Sequence, residues 1–255
     1  MAKLTIANDE EHLADLAAER LTRLIQLAIA GSGNAILCLT GGRTPQRLYT
    51  HLSDPARAWR DNIDWSRVHL FWSDERHVPP EHPDSNYGMT KAALLDRVPI
   101  PSAQVHRMRG ETRDPQDAAA EYEDTLQRAF AAAGRGDMTF DVMLLGLGED
   151  AHIASIFPDS DWLADTNRSR AFAGRRVAAV WAPHLNAWRI TLTPVAIHDS
   201  RSIAILVAGA RKAHAVQAAI DAPLDVERTP AQLLREFDDV VEWLLDRAAA
   251  SLLKI

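Results

Sequence analysis

A single cysteine in 255 residues, Cys38, leaves no intramolecular disulfide and no cysteine-based metal cluster to consider, and it points to a reducing compartment. Positive charge is also scarce: 28 Lys and Arg stand against 35 Asp and Glu, a formal net charge of -7. That balance argues against a dedicated nucleic-acid or anionic-membrane surface, because both need clustered cations. A small anionic ligand needs only local ones and stays open. Long apolar runs are missing: the longest, residues 203–210, falls far short of the roughly 20 residues of a membrane span. The first 11 residues carry one Lys and three acidic groups with no apolar run behind a basic start, so no secretory signal is expected and the expected location is cytoplasmic. Repeats, low-complexity tracts and Ser/Gly linkers are absent too, which favours one domain over residues 1–255.

What is present is a recurrence of short apolar runs alternating with helical patterns. Residues 4–7 read as a strand and lead into a helix capped by Asn8 or Asp9. Leu13, Leu16, Ala17, Leu21, Leu24, Ile25 and Ala28 line its buried face, and Gly31 is its expected stop. Residues 35–39 form a strand-length apolar run, after which Thr44 is placed to cap a helix with Pro45 in its first turn. Further strands are expected at 68–72, 140–145, 189–192 and 203–207, and helices at 114–133 and 210–220. A closing strand and helix are expected around 240–253. Strands buried on both faces and alternating with helices imply an α/β fold with a mostly parallel sheet and helices on both faces. Ligands of such sheets bind outside the carboxyl ends of the strands, where the polar and glycine-rich segments of this chain fall. Trp59, Trp65, Trp162, Trp181 and Trp243 read as packing residues.

Four segments carry side chains suited to chemistry. In Thr40-Gly41-Gly42-Arg43-Thr44-Pro45, glycines at a helix start let backbone N–H groups approach a phosphate and Arg43 adds a bidentate donor. A tight strand-to-helix turn that binds nothing reads equally well there. Trp72-Ser73-Asp74-Glu75-Arg76-His77 places Asp74 and Glu75 to position a hydroxyl and Arg76 to face a developing negative charge, or else forms a solvated turn. Ser85-Asn86-Tyr87 farther on suits a helix cap. Gly146-Leu147-Gly148-Glu149-Asp150-Ala151-His152 brings a histidine, which titrates near neutral pH, beside Asp150, a carboxylate able to fix its tautomer. Arg189 and Lys212, near the ends of two later strands, can converge on an anion or stand solvated. The ten histidines show no HExxH and no close pairing, so no metal site is expected. Gly146-Leu147-Gly148 lacks the third glycine of a dinucleotide fingerprint, and no Gly-x-Ser-x-Gly elbow occurs.

In this order and over nearly the whole chain, these motifs, together with Ser85-Asn86, Ala154-Ser155-Ile156-Phe157-Pro158, Arg189-Ile190-Thr191-Leu192-Thr193 and Gly209-Ala210-Arg211-Lys212, resemble the 6-phosphogluconolactonase family. The resemblance implies a Rossmann-like fold shared with glucosamine-6-phosphate deaminase and ribose-5-phosphate isomerase. It also implies hydrolysis of 6-phospho-D-glucono-1,5-lactone in the pentose phosphate pathway, with no organic or metal cofactor. The expected partner is the small phosphosugar lactone, without nucleic acid or membrane, acting on a monomer or small homo-oligomer. By motif, His152 is the expected general base, Asp150 its orienting group, and Arg76 or a backbone N–H the oxyanion donor, with Asp74 beside them. Gly41, Gly42, Arg43, Thr44, Arg189 and Lys212 are expected to hold the phosphate. Two departures stand out. The family usually has Gly where this chain has Ala151, so a positive φ there would cost about 1–2 kcal/mol and a negative φ nothing. Arg43 stands where Ser is common, and is expected to strengthen phosphate binding. A deaminase-isomerase resembling Ala-Phe-Asn-Glu-Pro after its histidine is the nearest rival, but the acidic residue is missing from 154–158. A non-catalytic sugar-phosphate sensor is the other.

Overall fold

Alternation within five-residue apolar runs builds two cores, one on each side of a sheet. The structure, a computed structural model, describes residues 3–160 and 174–254. Its strands are β1 (Lys3–Ala7), β2 (Ala35–Leu39), β3 (Val68–Trp72), β4 (Asp74–Arg76), β5 (Val142–Gly146), β6 (Val177–Ala182), β7 (Ala187–Leu192), β8 (Ile203–Val207) and β9 (Val241–Asp246). The helices that matter below are α1 (Glu10–Ser32), α2 (Arg43–Ser53), α3 (Trp59–Asn62), α4 (Asn86–Ala93), α5 (Pro115–Ala132), α6 (Pro194–His198) and α7 (Ala213–Ile220). Six strands form one sheet in the order β1-β9-β8-β5-β2-β3, and every pairing in it is parallel. Ile36 and Cys38 of β2 face one core with residues of α5 and α7. Leu37 and Leu39 face the other with residues of α1 and α2. This is the expected parallel sheet with helices on both faces, and it sends the carboxyl ends of β2, β5, β8 and β9 to one edge.

Four local expectations are corrected. The charged run 73–77 is not a loop: Asp74–Arg76 forms β4, which with β7 and β6 makes a second, antiparallel sheet of three strands. Ser73 hands the chain from one sheet to the other, its N–H donating to the Leu39 carbonyl at 2.8 Å and its carbonyl accepting from Leu192 N at 2.7 Å. The first helix runs past Gly31 to Ser32 and is closed by Gly33 at φ 85°, a left-handed conformation glycine takes freely. Gly42, at φ 106°, caps α2 in place of Thr44, so Arg43 opens the helix. After β9 the chain forms successive turns over 247–250 rather than a helix, with the Ala249 N–H drawn to the Asp246 carboxylate at 2.7 Å. Trp65 and Trp243 are buried as expected, whereas Trp181 is 43% exposed. Trp162, and the interior of the 160–174 segment, whose Asp, Arg, Ser and Gly content suits a mobile or a static surface loop equally, lie outside the described residues.

On the sheet's outer edge, His69 Nδ1 of β3 lies 3.2 Å from His106 Nε2, and the Phe71 ring stacks 4.5 Å from His106. Burial, with the neighbouring His69 adding to it, holds His106 down at about 4, so the folded chain favours neutral imidazole. The unfolded value is near 6.5, so this stability is complete above about pH 6.5 and is lost as the pH falls from there toward 4. Thermal unfolding midpoints measured across that interval are expected to fall less steeply for His106→Gln than for the parent chain.

Candidate active site

The glycine turn after β2 is shaped by what it touches. A Cβ on Gly41 would lie 1.8 Å from Asn86 Oδ1, so only glycine lets the Asn86 side chain lie over the turn. Asn86 opens α4 and donates from Nδ2 to the Asp74 carbonyl at 2.9 Å and to Asp74 Oδ1 at 3.2 Å. Asp74 Oδ2 accepts from Ser155 Oγ at 2.7 Å, and Ser155 N donates to Thr191 Oγ1 at 3.1 Å. Asp74 is thus a buried knot tying β4, α4, β7 and the histidine loop together. Glu75, on the other face of β4, accepts from Arg76 N, Asn86 N, Tyr87 N and Ser85 Oγ. Burial raises its pKa, while the three backbone N–H groups pull the other way. It fastens the start of α4.

Arg76 and Arg189 are register partners across β4 and β7. Arg76 Nη1 donates to the Asp84 carbonyl at 2.6 Å, and Arg189 Nη1 to the Trp188 carbonyl at 3.1 Å. Among the described residues neither guanidinium has an ion-pair partner, and the buried Arg76 Nε has no hydrogen-bond partner at all. Burial and then the charge of Arg76 lower the pKa of Arg189.

The segment after β5 holds the proton chemistry. His152 Nδ1 meets Asp150 Oδ1 at 2.6 Å, and among the described residues nothing engages Nε2. Burial alone would raise the Asp150 pKa, but the hydrogen bond and charge of His152 prevail and bring it down to about 2. Asp150 is therefore ionised throughout the neutral range. The turn is held by Gly148 N to His152 O at 2.8 Å and by Ala231 N to Ala151 O at 3.0 Å. The Phe157 ring lies 4.7 Å from that of His152 and 4.8 Å from that of His184. Ala151, Ala154 and Asp159 all have positive φ, at 63°, 48° and 54°, strain of the kind that gathers at functional loops.

Ala151 therefore sits where glycine would be at ease. Its left-handed backbone costs about 1–2 kcal/mol. Its methyl, on a residue 3% exposed, returns about 0.8 kcal/mol by burial, and alanine saves roughly 0.4–1 kcal/mol of unfolded-chain entropy relative to glycine. These contributions nearly cancel, and the Asp150–His152 bond is intact beside the methyl. Ala151→Gly is expected to change the unfolding free energy by less than about 1 kcal/mol in a denaturant titration and kcat/KM by less than about twofold.

The third grouping is cationic. A cavity of about 290 Å³ is lined by Gly41, Gly42, Arg43, Thr44, Arg211 and Lys212, among others, joining the glycine turn to the segment after β8. Lys212 Nζ donates to the Leu147 carbonyl at 2.7 Å, which ties this cavity to the histidine loop, and burial lowers the lysine's pKa. Arg211 Nε lies 3.4 Å from Glu149. Arg189 does not line this cavity and groups with Arg76 instead. A larger hollow of about 870 Å³ along β6 and α5 contains none of the expected catalytic or phosphate-binding residues, although Phe157 and Pro158 of the 154–158 motif and Trp181 line it. Ser155, Thr191, Phe157 and His184 gained no role from the sequence because their contacts cross between distant segments. Only the alternation of polar and apolar residues over 189–193 hints at Thr191.

Residues 8–243 match the family model described as glucosamine-6-phosphate isomerases/6-phosphogluconolactonase. The chain is 39% identical over 253 residues to a 6-phosphogluconolactonase of Mycobacterium bovis, covering 98% of both. It is 36% identical over 234 residues to one of Synechocystis, covering 92% of this chain and 91% of the relative. Among solved structures, the 6-phosphogluconolactonase of Trypanosoma brucei superposes with a TM-score of 0.81 at 26% identity, covering 99% of each chain. A monomeric glucosamine-6-phosphate deaminase, at 21% identity and a TM-score of 0.78 over 98% of this chain and 100% of its own, shares the fold.

Proposed function

Since the chain belongs to the glucosamine-6-phosphate isomerase/6-phosphogluconolactonase family, we propose that it hydrolyses 6-phospho-D-glucono-1,5-lactone to 6-phosphogluconate, within the pentose phosphate pathway. The observation that carries this reading is one loop serving both ends of such a substrate. Its Leu147 carbonyl anchors Lys212 at the cationic cavity, and five residues later His152 presents an Nε2 that no other described residue engages. Lys212, Arg43 and the Gly41–Gly42 amides hold the phosphate, so remote binding energy positions the reacting carbonyl. His152 Nε2 takes a proton from the attacking water as its oxygen bonds to the lactone carbon. Asp150 holds the tautomer and stabilises the imidazolium. The negative charge on the former carbonyl oxygen faces Arg76, with Arg189 beside it, an interaction worth about 3–4 kcal/mol when well aimed. Collapse of the intermediate breaks the bond to the ring oxygen, which receives the proton from His152. Asp74 acts by holding Asn86 and Ser155 rather than by touching substrate.

The phosphate assignment is tested by kinetics on two lactones. Lys212→Met is expected to raise KM for the phosphorylated lactone about 10- to 100-fold, the worth of a charge-assisted hydrogen bond of about 1.5–3 kcal/mol. Unphosphorylated glucono-1,5-lactone is expected to be hydrolysed at the same slow rate by both proteins. Arg43→Ser is expected to raise KM about threefold or more; an unchanged KM removes Arg43 from the site.

A further inference from the structure

The residue that sets Lys212 in place lies outside every motif discussed so far. Asp246 ends β9, is 3% exposed, and directs both carboxylate oxygens at one backbone N–H, that of Gly209, at 3.1 and 3.0 Å. Oδ1 also takes the Ala249 N–H at 2.7 Å, so the buried charge is met by two backbone donors from two different strand-end segments. Gly209 is held at φ 93° and ψ 146°, and its carbonyl accepts from Lys212 N at 3.0 Å. That bond closes the turn Ala210–Lys212, which delivers Nζ to the Leu147 carbonyl. The chain of contacts is continuous: carboxylate, Gly209, turn, Lys212, histidine loop. Without the carboxylate, the Gly209 N–H has no partner to hold it, and the turn loses the constraint that fixes its direction.

We infer that Asp246 is a positioning residue for phosphate recognition, acting through Gly209 to aim Lys212 at the cationic cavity; this rests on the phosphate reading of Lys212 given above. Asp246→Asn keeps the shape and one acceptor oxygen but removes the charge that binds Gly209 N with both oxygens. It is expected to raise KM for the phosphorylated lactone, and the inhibition constant of inorganic phosphate, by a common factor of about 5 to 20, with kcat lowered less than about twofold. A general loosening of the fold would lower kcat and leave the two phosphate readouts uncoupled. Gly209→Ala attacks the same turn from the other side. Only Glu10 Oε1, at 4.0 Å, comes near the added methyl, so the change acts through the positive φ, and the same paired rise is expected. In a Lys212→Met background, Asp246→Asn is expected to add nothing further to KM. Independent, multiplying effects in that background, or a loss of kcat at constant KM in both variants, overturns the proposal. If Lys212→Met alone leaves KM and phosphate inhibition unchanged, the phosphate reading itself fails, and the proposal falls with it.

Discussion

His152→Ala is expected to lower kcat/KM for the phosphorylated lactone about 10³-fold, nearly all of it in kcat, the range typical of losing a positioned acid-base group. The phosphate contacts lie on other residues, so KM should stay within about threefold. The imidazole is 31% exposed in its side chain, so unfolding midpoints should barely move and the loss can be read as chemistry. The mutant should still hydrolyse lactone somewhat faster than buffer, because the phosphate pocket and Arg76 remain to orient and polarise the substrate. Steady-state kinetics corrected for spontaneous hydrolysis check this. A mutant retaining more than about a tenth of parental kcat removes His152 from the proton transfer.

The second large effect is expected from a residue that touches no substrate. A Cβ on Gly148 would fall 2.1 Å from His152 Nδ1 and 2.2 Å from Asp150 Oδ1, on top of the hydrogen bond that orients the imidazole. Neither side chain can keep its place, so Gly148→Ala should cost about 10²-fold in kcat while KM holds, the loss coming from a base displaced by 1 Å or more. Gly31 is the matching control: nothing lies within 4 Å of a Cβ there, and alanine inside α1 should leave activity unchanged and add up to about 1 kcal/mol of stability. Equal kinetics for the two substitutions contradict the placement of the Asp150–His152 pair.

Much of this was legible in the chain because the signals are local. The five-residue apolar runs of β2 and β8 are buried throughout and β3 is buried at every position but His69, and both-sided burial is what a parallel sheet requires. The glycine turn, the Asp150–His152 pair and Lys212 follow strands directly, so parallel topology alone brings them to one edge. The antiparallel sheet was not legible: β4 is three charged residues, and its identity comes from a ladder to β7 more than a hundred residues away. The same distance hid the pairing of Arg76 with Arg189, which motif order had grouped with Lys212. The Ser155–Asp74 bond, spanning 81 residues, has no sequence signal at all. Helix ends shifted by one or two residues because Gly33 and Gly42, with positive φ, compete with neighbouring residues that also suit a boundary.

The central claim, that this chain hydrolyses a phosphosugar lactone, is met most directly by generating 6-phospho-D-glucono-1,5-lactone in place from glucose 6-phosphate with its dehydrogenase and following lactone decay at neutral pH. The account predicts a decay rate above the enzyme-free blank that rises in proportion to the amount of this protein. Decay no faster than the blank at any concentration would contradict it.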